Sequence, residues 1–61
     1  MTANVAARID EWKKLMRSAR TANDTTAEVC FKNLLFGAEM VLNDLGLSEL
    51  AAAARHAAET V

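Results

Sequence analysis

The middle third of the chain carries two separate apolar faces. At about 100° per residue, Ala27, Cys30, Phe31, Leu34, Leu35, Ala38, Val41, Leu42 and Leu45 gather on one broad side of a helix. Val29, Phe36 and Met40 fall on nearly the opposite side. Two polar seams separate them, Glu28/Lys32/Glu39/Asn43 and Asn33/Asp44. A helix that is apolar on two sides is buried by neighbours on two sides. The pattern therefore predicts more apolar surface than a small chain can cover alone, with Val29, Phe36 and Met40, and whatever a third helix leaves open, as an interface.

The flanking segments complete a set of three helices with short connections. The first is expected over about residues 4–20, with Thr2 or Asn4 as N-cap. Val5, Ile9, Trp12, Met16 and Ala19 recur at helical spacing there, and Leu15 widens the stripe. Ala22-Asn23-Asp24 breaks the pattern. Thr25 followed by Glu28 fits a capping box, in which each side chain satisfies the other residue's free backbone N–H. It predicts a second helix over about 26–45, closed by Gly46 in a left-handed conformation, with Leu47 packing back on Leu42. Ser48 is the expected N-cap of a third helix over about 49–60, with Glu49 near its positive end.

The third helix is alanine-rich (Ala51 to Ala54, Ala57, Ala58), so its propensity is high. Its large apolar residues are Leu47, Leu50 and Val61 only, so it should bury little and be the least stable element. Gly37 within the second helix costs about 1 kcal/mol against alanine. Close approach of another helix is the expected reason, and a hinge is the alternative. The pattern as a whole predicts an all-α fold. Helices one and two form an antiparallel hairpin through Ile9, Trp12, Met16, Phe31, Leu34 and Leu35, and a short third helix follows.

Size turns this fold towards association. Sixty-one residues make a single domain spanning 1–61, and a domain of that length buries only ~60% of its unfolded surface. Disulfides, metals or oligomerisation are the usual supports. One cysteine, Cys30, cannot form an internal disulfide, and one histidine, His56, makes a protein-only metal cage within one chain a poor fit. The expectation is a homodimer or a higher homo-oligomeric helical bundle. An apolar content of 52% excludes disorder.

Targeting and membrane signals are not visible. Arg8, Asp10, Glu11, Lys13 and Lys14 interrupt the start of the chain, so no apolar signal-peptide core is expected. The most apolar run, Val29 to Leu47, contains Lys32, Glu39 and Asp44, which would be costly in lipid. A single unpaired cysteine suits a reducing cytoplasm. Cys30 is expected as an inert buried thiol on the main apolar face; an exposed thiol or a disulfide between copies is the alternative.

Charge is unevenly spread along the chain. From Arg8 to Arg20, five basic residues stand against two acidic ones, a balance of +3. From Asp24 onwards two basic residues stand against six acidic ones, −4, which together give the net −1. Lys13, Lys14, Arg17 and Arg20 cluster on the solvent side of helix one. Cations suit the negative end of a helix dipole, and Asp10–Lys14 is a favourable i,i+4 pair. A contact patch for phosphate or for an acidic protein would carry the same residues.

Leu45-Gly46-Leu47-Ser48 is the one local pattern with a functional counterpart. It resembles the turn of a helix-turn-helix DNA-binding motif, over about residues 38–57, with Val41, Leu45, Leu47 and Ala52 at positions that motif keeps apolar. Leu42 stands where the motif has a small residue, and Arg55 where it has an apolar one. The resemblance implies a small DNA-binding regulator, the alternative function. Base-edge readout wants Arg, Lys, Asn or Gln, and affinity wants clustered cations. The third helix offers one arginine and two glutamates.

Other chemistry is scarce. A glycine-rich phosphate loop and a Cys-Xaa-Xaa-Cys pair are both missing from the sequence. His56 and Glu59 share a helix face at i,i+3, which suits a solvated pair better than a metal shared between copies. Cys30 and His56 fall on different helices without a third orienting group, so a thiol nucleophile is not suggested. Trp12 belongs to the apolar stripe of helix one, as a core or interface anchor. The sequence leads to a cytoplasmic, non-enzymatic protein without cofactor or metal. Its expected partners are a second copy and another protein, and it would act as a regulator or adaptor.

Overall fold

The structure, a computed structural model, describes residues 2–59 as three helices: α1 (Thr2–Thr21), α2 (Thr25–Asp44) and α3 (Ser48–Glu59). The fold is all-α, with no strand among the described residues. Thr60 and Val61, expected at the end of the third helix, lie outside the described residues. Ile9, near the start of α1, and Leu42, near the end of α2, share one core with Met16 and Leu35, so α2 runs back along α1. α3 then packs on both, more extensively on α2.

Both connections use the same hydrogen-bond plan. At the end of α2, Gly46 takes φ +77°; its N–H donates to the Asn43 carbonyl, and the Leu47 N–H reaches back to Leu42 at 2.9 Å. Those two bonds define a Schellman closure. At the end of α1, Asn23 takes φ 58°, donating to the Arg20 carbonyl, while the Asp24 N–H reaches back to Ala19 at 2.8 Å. Asparagine is the non-glycine residue that best tolerates this left-handed region.

The last residue of each closure also opens the next helix. The Leu47 carbonyl accepts from the Ala51 N–H, and the Asp24 carbonyl from the Glu28 N–H. The Asp24 carboxylate also accepts from the Ala27 N–H at 3.1 Å. Three expectations about caps are therefore corrected. Thr2 and Asn4, expected as the N-cap of α1, are both already helical. The N-cap of α2 is Asp24 rather than Thr25, which is already helical. Ser48 is the first residue of α3 and not its cap, because the Schellman closure hands that position to Leu47.

Asp24→Ala is expected to cost about 0.5–2 kcal/mol through loss of the cap. Gly46→Ala should cost about 1–2 kcal/mol through left-handed strain. Urea unfolding followed by far-UV circular dichroism measures both. An unchanged midpoint in either variant would contradict the turn geometry.

The core is small and sits where α1, α2 and α3 meet. Ile9, Met16, Leu35, Leu42, Ala51, Ala54, Ala57 and Ala58 form it, and Val5, Trp12, Phe31, Ala38, Leu47 and Leu50 pack around it half-buried. The alanines correct the expectation that α3 would bury little. Methyl side chains let α3 lie close against its neighbours, so one whole stripe of it is buried.

That close seating has a consequence for α2. A thin helix covers only a narrow strip of a broad face, and here the strip is Leu35 and Leu42. Leu34, expected in the hairpin contact, lies on the far edge of the face and is exposed, as is Leu15 on α1. Cys30, expected to be buried, is exposed for the same reason. Gly37 is also not where another helix approaches within the chain: a methyl group added there would meet nothing within 4 Å.

Candidate binding surface

α2 leaves two apolar stripes uncovered, one on each side of Gly37. The first holds Val29, Phe36 and Met40, exposed by 47%, 38% and 64%. The second holds Leu34, Val41 and Leu45, exposed by 42%, 55% and 67%. Cys30 lies beside the second stripe, and Asn33 and Asp44 lie between the two by helical position. The described chain measures 35 × 18 × 14 Å over its Cα atoms. Neighbouring helices sit about 8–10 Å apart, so the molecule is two helices thick and has no layer left for this side of α2.

Contiguous apolar patches beyond a few hundred Å² mark interaction surfaces on soluble monomers.

Leu34, Val41 and Leu45 belong to what α3 leaves open on the main face; the pattern alone does not name them, because periodicity does not say how far a neighbour reaches. A signal was present: the broad face spans about 140° of the helix, and an alanine-only neighbour cannot reach across it. Gly37, lying between the two exposed stripes, was the other sign.

The basic residues of α1 divide by environment. Lys14 pairs with Asp10 at 3.1 Å, and Arg8 with Glu11 at 3.2 Å. Lys13 is half-buried beside a shallow groove of about 250 Å³ that Asp10 and His56 also line. Arg17 and Arg20 are exposed, with Arg20 in the last turn where the helix dipole favours a cation. On the other flank, Arg55 reaches Glu59 at 3.4 Å and Glu39 at 3.9 Å, tying α3 to α2.

A larger open groove, about 780 Å³, runs between the first turns of α1 and the α2–α3 turn. Thr2, Ser48 and Glu49 are its polar lining, with no cation among them. Among the described residues, no three His, Cys, Asp or Glu side chains gather as a metal site. None of the described helices is long and apolar enough to cross a membrane.

The α2–α3 turn has the length of a helix-turn-helix connection, but burial around it differs from that motif. Val41, Leu45 and Ala52, which the motif keeps apolar, are exposed, and Leu42, at its small-residue position, is buried. No protein-family model, no curated protein and no solved structure matches this chain.

Proposed function

We propose that this protein is a small non-enzymatic helical module that acts by self-association and by binding another protein, as a regulator or adaptor. One observation carries the reading: an entire side of α2, apolar on both flanks of Gly37, is left bare in a chain two helices thick. Burying large apolar side chains contributes about 1.5–3 kcal/mol each when complete. Covering this side by association supplies stability that a core rich in alanine does not.

A protein whose folded state is held together by association melts at a temperature that rises with concentration. Thermal unfolding over a hundredfold range of protein concentration is expected to show that rise. A midpoint independent of concentration would overturn the self-association.

Binding of a second protein would fall to the cluster Lys13, Lys14, Arg17 and Arg20, which lies on α1 and so leaves the α2 side to self-association. These cations suit an acidic surface. DNA binding is the competing use of the same residues, and the burial pattern around the α2–α3 turn weighs against it. Arg17→Gln with Arg20→Gln is expected to cost little stability, since exposed charge contacts are worth about 0.3–1 kcal/mol each. The unmodified protein should give no salt-sensitive complex with duplex DNA in a mobility-shift assay. A micromolar complex that weakens steeply with salt and is lost in the double variant would establish the DNA reading instead.

A further inference from the structure

We infer that the occupant of the bare side of α2 is a second copy of this chain, lying antiparallel across it with Gly37 at the crossing point; this rests on the self-association proposed above. Gly37 lies midway along the bare side, with Val29, Leu34 and Phe36 before it and Met40, Val41 and Leu45 after it. In an isologous antiparallel pair each stripe meets the same stripe of the other copy run in reverse, so the large side chains before Gly37 meet those after it. At the centre Gly37 presents open space where a side chain would stand. Two backbones can approach closely there.

The area suffices. Val29, Leu34, Phe36, Met40, Val41 and Leu45 are roughly half exposed, which amounts to roughly 600 Å² if each offers ~200 Å² in full. A standard stable interface buries ~800 Å² per partner, of which ~65%, roughly 500 Å², is apolar in homodimers; the patch offers that much when it is covered in full.

Charge decides the direction. Asp44 is the one charged residue near the centre line of the face, seven residues from Gly37. A parallel pair would set the two Asp44 carboxylates side by side. In the antiparallel pair they stand about 21 Å apart at 1.5 Å per residue, beyond a Debye length. Each Asp44 then lies level with the partner's Cys30, since both are seven residues from the crossing. Leu34 lies beside the partner's Val41 on the same flank.

Cys30 is the sole cysteine and is exposed, so it reports this register directly. The two Cys30 thiols are about 21 Å apart in the antiparallel pair and adjacent in a parallel one. A short bis-maleimide cross-linker is therefore expected to leave the unmodified protein uncoupled. Asp44→Cys should couple nearly completely into dimers, by joining Cys30 to the introduced thiol of the other copy. That substitution also removes an anion from the negative end of α2, so the helix should not suffer. Gly37→Gln gives the second arm. It improves helix propensity and fills space left open within the chain, so helicity is expected to hold or rise while sedimentation shows the dimer lost.

Cross-linking of the unmodified protein through Cys30 would overturn the antiparallel register. An Asp44→Cys protein that sediments as a dimer yet does not couple, or a Gly37→Gln protein that still dimerises, would place the contact on another surface. Self-association itself would survive either result. An unmodified protein that sediments as a monomer at all concentrations would remove both the register and the self-association beneath it.

Discussion

Leu35→Ala is expected to remove most of the folding stability of this protein. Leu35 is fully buried and, with Met16, is one of the two large side chains among the described residues that solvent does not reach. Leucine-to-alanine changes in such sites cost about 2–5 kcal/mol, as lost transfer energy plus the cavity left behind. Sixty-one residues at roughly 0.05–0.15 kcal/mol each give a total stability of only about 3–9 kcal/mol. The alanines of α3 are too short to collapse into the gap. Met16→Ala should behave alike, and Leu34→Ala, two-fifths exposed in the chain, should cost the fold far less. Urea unfolding followed by far-UV circular dichroism ranks the three. An Leu35→Ala midpoint close to the unmodified value would mean that the core does not sit where α1, α2 and α3 meet.

Phe36→Glu is expected to produce the largest effect on assembly. Phe36 is on the bare side of α2, so a glutamate there meets water in the free chain and costs little. In an associated pair the same carboxylate is desolvated without a partner. Such a charge costs about 3–5 kcal/mol when buried unpaired, and 1.4 kcal/mol is tenfold in affinity. Dimerisation should therefore weaken by at least about a hundredfold, while helicity at high concentration is retained. Analytical ultracentrifugation and circular dichroism on one sample read both quantities. Loss of helix and mass together would place Phe36 in the core of the single chain.

The three helices were legible because each carries its own local instruction. Gly46 announces the end of α2, and its left-handed φ is what glycine permits at least cost. Asp24 was harder to see. Thr25 and Glu28 form an acceptable capping box on paper, yet the closure of α1 at Asn23 already brings the Asp24 carboxylate to the Ala27 N–H. Two valid local motifs competed, and the tertiary turn chose between them.

The extent of burial was less legible than the helices themselves. Hydrophobic periodicity gives the direction of a face but not how much of it a neighbour covers. Ala51, Ala54, Ala57 and Ala58 were read as poor in buried area, and their real effect is geometric: they bring α3 in close and narrow the covered strip. Cys30, Leu34, Val41 and Leu45 are exposed as a result. The bare side of α2 therefore holds Leu34, Val41 and Leu45 as well as Val29, Phe36 and Met40.

Sedimentation equilibrium of the unmodified protein at micromolar concentration tests the central claim most directly. A mass of at least two chains is expected, falling towards one on dilution. A cooperatively folded monomer of 6.6 kDa across the whole concentration range would contradict it, because the apolar side of α2 would then be stable in water on its own.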